Sequence, residues 1–239
     1  MAWAILQARM SSSRLPGKVL ADVVGAPMVL RQVERLARCR RLQGLTVAVP
    51  EDQRDDGLAA TLNEAGVSTY RGPLDDVLAR FAGAVRAAGS PETVVRLTAD
   101  CPLTDPAVID ATIDFFHASD ADYVSNTGDH RTFPIGLDVE VFRSAALMEA
   151  EREANAPYDR EHVTPFIYRR PDRFRIATHQ QAPDEGAVRW TVDRPDDLAF
   201  VREVYGALYG INPDFTSQHI RHFVASRPEL MAFGGDPRL

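Results

Sequence analysis

Short apolar runs alternate through the first half of the chain with longer stretches whose apolar residues recur every three or four positions. The runs fall at Trp3–Gln7, Leu45–Val49, Val67–Tyr70, Thr93–Leu97 and Asp122–Ser125 and read as strands. Asp105-Pro106 supplies a cap followed by proline at the first helical position, opening a helix through Val108, Ile109, Ile113 and Phe116. Strand and helix in alternation predict an α/β fold, a largely parallel sheet with helices on both faces.

From about Arg131 the rhythm changes. Leu137–Phe142 alternates like a strand, Ser144–Asn155 and Glu161–Arg169 read as helices, and Arg173–Thr178 and Ala187–Thr191 read as strands. Pro195-Asp196-Asp197 then opens a helix with Leu198, Val201, Val204, Tyr205 and Leu208 on one side. The pattern predicts a single domain over residues 1–225, with an irregular insertion at about 128–170. Residues 226–239, rich in proline and glycine, read as a loosely ordered tail. On the helix after Pro27, Arg31, Arg35, Arg38, Arg40 and Arg41 interleave with Val29, Val33, Leu36 and Ala37; the pattern predicts an amphipathic helix with a solvated charged face.

With 45% apolar residues, 239 residues suffice for a large core. The net charge of −7 argues against a broad nucleic-acid or anionic-membrane footprint, because such surfaces need a basic excess. Two cysteines, Cys39 and Cys101, lack metal-type spacing and suggest no disulfide framework. No secretory leader pattern or membrane-length apolar run is evident, so a cytoplasmic protein is expected.

The first strand, Ala2–Arg9, spills into Met10-Ser11-Ser12-Ser13-Arg14-Leu15-Pro16-Gly17-Lys18. Small residues let backbone N–H groups approach phosphate oxygens, and Arg14 and Lys18 add charge where a triphosphate would lie. The loop is neither a Walker A sequence nor Gly-x-Gly-x-x-Gly. Ligands of open α/β sheets sit beyond the carboxyl ends of the strands, and there stand Asp100, after Thr93–Leu97, and Asp193, after Ala187–Thr191. If those strands are neighbours, the two acids converge as a Mg²⁺ site; read singly, each acid before a proline is equally a turn former.

The segments Gln7–Leu20, Arg96-Leu-Thr-Ala-Asp100-Cys-Pro-Leu103, Asp122–Thr127, Gly136–Glu140, Arg160-Glu-His162-Val-Thr164 and Trp190-Thr-Val-Asp193-x-Pro-x-Asp-Leu198 together resemble the cytidylyltransferase family that activates acidic sugars. The likeness is greatest to its spore coat polysaccharide biosynthesis group and covers about residues 3–210. It implies the nucleotide-diphospho-sugar transferase fold, a Rossmann-like three-layer sandwich. By the same resemblance, Ala8, Arg9, Met10, Ser11, Ser12 and Ser13 wrap the CTP phosphates, Arg14 and Lys18 neutralise them, and Asp100 and Asp193 hold Mg²⁺. Arg71 and Gly72 fall at the nucleoside pocket. A CMP-sugar and pyrophosphate would be the products, serving surface polysaccharide synthesis, and a homodimer through the insertion is implied.

The Tyr158-Asp159-Arg160-Glu161-His162 motif either faces the sugar through Arg160 and His162 or makes local caps and ion pairs. Asp138 and Glu140 share one strand face, and Asp138, after Gly136, is the stronger candidate for the substrate cleft. Two other readings stay open: a glycosyltransferase, although Ala99-Asp100-Cys101 lacks the Asp-x-Asp such enzymes often carry, and a catalytically silent nucleotide-binding subunit.

Overall fold

A computed structural model describes residues 1–239. Seven strands, β1 Ala2–Gln7, β2 Leu42–Pro50, β3 Thr69–Gly72, β4 Thr93–Thr98, β5 Tyr123–Ser125, β6 Glu140–Arg143 and β7 Ile176–Thr178, form one sheet in the order β3-β2-β1-β4-β6-β5-β7. β6 runs antiparallel to both neighbours and every other pairing is parallel. β1 is central, which explains its unbroken apolar character: Ala2, Ala4, Ile5 and Leu6 are fully buried between neighbours on both sides and helices on both faces.

The helices are α1 Met28–Leu36, α2 Asp56–Glu64, α3 Val77–Ala87, α4 Pro106–Ser119, α5 Ser144–Glu153, α6 Pro157–His162, α7 Pro165–Tyr168, α8 Pro195–Leu208, α9 Ser217–Ala225 and α10 Pro228–Met231. Side-chain alternation sorts the core into two layers. Ala4 and Leu6 pack with Leu36, Leu58, Leu62 and Ile113 of α1, α2 and α4, while Ile5 packs with Leu78, Phe81, Leu147 and Phe166 of α3, α5 and α7. This is the expected three-layer α/β sandwich with a mainly parallel sheet. A third cluster joins α8 and α9 to Trp190 and Val192. No helix is long and apolar enough to cross a membrane.

Several local expectations change. Ala187–Thr191 is not a strand: it bonds to the loop around Ile135 (Ile135 N to Val188 O, 2.8 Å; Trp190 N to Ile135 O, 2.7 Å), with one isolated bridge at Arg189. Gly136, at φ +110, brings that loop so close that a Cβ would lie 2.6 Å from the Thr191 amide. Glu161–Arg169 breaks into α6 and α7 because Pro165 cannot continue a helix and Val163 turns to φ +74.

The charged face of α1 is not solvated. Arg31 and Arg35 are buried; Arg35 donates to the Thr104 and Phe215 carbonyls at 2.6 and 2.9 Å and lies 4.2 Å above the Phe215 ring. Residues 226–239 are not a loose tail either. α10 leads into a hairpin pairing Ala232–Phe233 with Asp236–Pro237, and Arg238 is fully buried, donating to Asp197 at 2.8 Å.

Candidate active site

The strand order reverses between β1 and β4: β2 and β3 lie on one side of β1, and the chain then returns to build β4 on the other. Such a reversal opens a crevice at the carboxyl ends. A cavity of about 230 Å³ lies there, bordered by the loop after β1 and by Thr98, Asp100 and Asp193. The loop is pinned at its start by the Asp55 carboxylate, which accepts from the Met10 amide at 2.6 Å, and at its end by Gly17, whose φ of +73 permits the bond from its amide to Met10 O at 3.0 Å. Between those pins the amides of Ser11, Ser13 and Arg14 donate to nothing in the protein. They are free to receive an anion.

Lys18 follows Gly17 and is 8% exposed. Its ammonium donates to Val192 O at 2.5 Å and lies 3.2 Å from Asp193 Oδ1 and 3.5 Å from Asp100 Oδ2. The two carboxylates meet because the Val192 amide donates to Asp100 O at 2.7 Å, tying the segments backbone to backbone. Asp193 also faces Arg14 at 3.0 Å and Arg189 at 2.8 Å. Burial pushes the Asp193 carboxyl up, but Arg189 and Lys18 outweigh this and hold it below the usual carboxylate range.

A larger cavity of about 480 Å³ adjoins the first. Arg96 and Glu140 form its floor, and Tyr158, His162 and Thr164 of the α6–α7 region line its wall. A lining residue of each meets the other: Arg96 Nη2 of the larger cavity reaches Gln7 Oε1 of the first, at 3.4 Å. On the opposite side Arg9 borders both the 230 Å³ cavity and a third, of about 450 Å³, lined by Leu74, Asp75 and Asp76.

A crevice at the sheet reversal, a loop of free amides and a lysine between two aspartates suit a nucleoside triphosphate. The model of the cytidylyltransferase family matches residues 3–230. The chain belongs to that family. This cytidylyltransferase, a CTP-dependent nucleotidyltransferase, is 30% identical over 235 residues to spore coat polysaccharide biosynthesis protein SpsF of Bacillus subtilis, covering 94% of each chain. It is 41% identical over 111 residues to a 3-deoxy-manno-octulosonate cytidylyltransferase of Anaeromyxobacter, a match confined to 46% of this chain and 44% of that protein. The solved structure of a cytidylyltransferase from Leptospira borgpetersenii superposes with a TM-score of 0.89 at 26% identity, covering 96% of this chain and 95% of the other.

Within the cytidylyltransferase, Ala8, Arg9, Ser12, Ser13, Arg14, Lys18, Asp100 and Asp193 line one cavity together, with Met10 and Ser11 in the same loop. Arg71 and Gly72 line neither this cavity nor its neighbours. Arg71 is spent on the Pro50 and Asp52 carbonyls and on Asp56 at 2.6 Å, clipping β3 to the turn after β2. Asp138 is held by Arg131 at 2.6 and 3.2 Å and lines neither the 480 nor the 450 Å³ cavity. Arg160 grips Asp76 and the Glu151 carbonyl at the edge of the third cavity, and His162 alone of the motif pair faces the 480 Å³ space, 4.3 Å from the Tyr158 ring.

Asp55, Arg96 and Arg189 carried no expected role in the sequence, and Glu140 stood second to Asp138. Glu140 shares the face that favoured Asp138, and only the pairing of β6 with β4 reveals that it meets Arg96.

Proposed function

We propose that the protein transfers CMP from CTP to a hydroxyl of an acidic sugar, releasing pyrophosphate and forming a CMP-sugar for surface polysaccharide synthesis in the cytoplasm. The convergence of Lys18, Asp100 and Asp193 beside the free loop amides carries this reading. The triphosphate would lie on the amides of Ser11, Ser13 and Arg14, with the nucleoside toward the cavity beyond Arg9 and the sugar in the 480 Å³ cavity.

The donor set fits Mg²⁺: two carboxylates lie within 3.5 Å of one ammonium at the mouth of the cavity, and Mg²⁺ prefers a few hard protein oxygens completed by phosphate and water. Asp100 and Asp193 would hold the ion, which when bound offsets charge on the reacting phosphate. Arg14, on an exposed stretch of loop, is free to leave Asp193 for the triphosphate. Lys18 is fixed by Val192 O and spreads charge from a set position, which suits a reaction accelerated chiefly by positioning and electrostatics.

Purified protein given CTP and Mg²⁺ is expected to release pyrophosphate only when a suitable acidic sugar is added. Release with no member of a panel of acidic sugars, or stronger thermal stabilisation by another triphosphate than by CTP, would overturn the proposal. We also propose a homodimer through residues 128–170; sedimentation equilibrium giving the monomer mass of 26.4 kDa would exclude it.

A further inference from the structure

Asp193 faces more positive charge than one carboxylate needs. Its Oδ1 lies 3.0 Å from Arg14 and 3.2 Å from Lys18, and its Oδ2 lies 2.8 Å from Arg189, so both oxygens are engaged. Two of those three cations have other ties. Lys18, 8% exposed, also donates to Val192 O at 2.5 Å, and Arg189 also pairs with the buried Asp197 at 3.1 Å. Arg14 has none: its side chain is 60% exposed and Asp193 is its one ion-pair partner. Of the three, Arg14 alone can leave Asp193 without giving up a second contact.

The backbone of the same residue is also at stake, because the Arg14 amide is one of those that donate to nothing in the protein. An anion received there draws on the guanidinium of the same residue, whose fork matches phosphate oxygens. The lining of the 230 Å³ cavity sets the direction of the exchange. Arg9, Arg14 and Lys18 stand against Asp100 and Asp193, an excess of one positive charge. A free divalent cation would enter against that excess and against Arg14 on Oδ1, and Mg²⁺ sheds its water reluctantly. A triphosphate reverses the sign of the cavity and takes the arginine away together. We propose that Arg14 is a placeholder for the divalent cation, covering Asp193 Oδ1 until a triphosphate draws its guanidinium off, so that the cation joins Asp193 with the nucleotide and not before it. The inference rests on the metal and triphosphate assignments proposed above and adds an order of binding to them.

Calorimetric titration of the full chain with Mn²⁺, an oxygen-seeking stand-in for Mg²⁺, tests the placeholder without any turnover. With no nucleotide present, Arg14→Gln is expected to bind Mn²⁺ at least tenfold more tightly than the wild-type protein. Arg9→Gln removes the same charge from the same lining but leaves Asp193 covered, and should gain less than threefold. Combining Arg14→Gln with Asp193→Asn should abolish the gain. In EDTA the wild-type protein should still bind CTP. Circular dichroism is the control for folding, and the exposure of Arg14 favours a folded variant.

Mn²⁺ affinity unchanged in Arg14→Gln, an equal gain in Arg9→Gln, or a gain that survives loss of the Asp193 carboxylate would overturn the placeholder. Failure of CTP to bind in EDTA would overturn the order of binding. Pyrophosphate release by the wild-type protein, with Mn²⁺ affinity unchanged in Arg14→Gln, would keep nucleotidyl transfer and overturn the placeholder. The tenfold gain with no release from CTP on adding any acidic sugar would keep the placeholder and overturn the transfer.

Discussion

Lys18 is a buried cation shared by a carbonyl and two carboxylates, and removing its charge leaves Asp100 and Asp193 facing each other with less to hold them together. Lys18→Met is expected to raise the CTP dissociation constant at least tenfold, about 1.4 kcal/mol, in a calorimetric titration. An unchanged constant would remove Lys18 from the triphosphate site. Asp100→Asn or Asp193→Asn should lower kcat by about a hundredfold or more with the far-ultraviolet spectrum unaltered, and near-normal turnover in either would discard the metal assignment.

These residues were legible in the sequence because strand, loop and charge are consecutive and their chemistry is local. Glu140 was not. Strand periodicity places it on a face with Asp138 but cannot say that Arg131 takes one acid and Arg96 the other. Arg71 shows the converse, a cation well placed in the sequence whose three nitrogens are each bonded within the fold.

Among the elements, the parallel strands and the Asp105-capped helix were readable from apolar periodicity, which is imposed by burial on both faces of the sheet. The carrier of Asp193 was not readable, because Ala187–Thr191 has the composition of a strand and the bonding of a loop. Its place is set by Gly136, a single residue some fifty positions earlier, whose missing side chain admits the Thr191 amide. Gly136→Ala should therefore cost about 2 kcal/mol or more in urea unfolding, from the positive φ and the 2.6 Å approach together. The same variant should lower kcat more than it raises KM for CTP, since the displaced segment carries a carboxylate and not the phosphate loop. Equal stability in the variant would show that this contact is relaxed in solution. The arginines of α1 misled for a related reason: spacing marks a face as charged, and only tertiary contacts reveal that Thr104 and Phe215 cover it.

At the scale of the molecule, residues far apart in the chain are joined through Asp197. Its carboxylate is fully buried, accepts from the Asp193 amide at 2.9 Å, and pairs with Arg189 and with Arg238. Burial pushes the Asp197 carboxyl up, but Arg189, Arg238 and the backbone donors prevail and hold it well below its ordinary 3.8. A carboxyl depressed on folding stabilises above its unfolded value and loses that contribution as pH falls through its folded one. Wild-type stability should accordingly decline below about pH 4. Asp197→Asn should be about 3 kcal/mol less stable at pH 7, where buried Arg238 loses its carboxylate and Arg189 keeps only Asp193 and Asp236, and its decline below pH 4 should be shallower. Chemical denaturation across that range measures both, and parallel profiles would refute the assignment.

Arg238 belongs to this network although it stands far along the chain from every residue that lines the 230 Å³ cavity. Its carbonyl accepts from the Trp190 indole at 2.9 Å, and its guanidinium reaches the Arg189 carbonyl at 2.6 Å. Through Asp197, which accepts from the Asp193 amide, the end of the chain thus bears on a carboxylate of the cavity 45 residues earlier. A chain lacking residue 238 would hold the complete binding loop and a less steadied carboxylate, so it is expected to keep most of its affinity for CTP and to lose turnover, which titration and pyrophosphate release would measure separately.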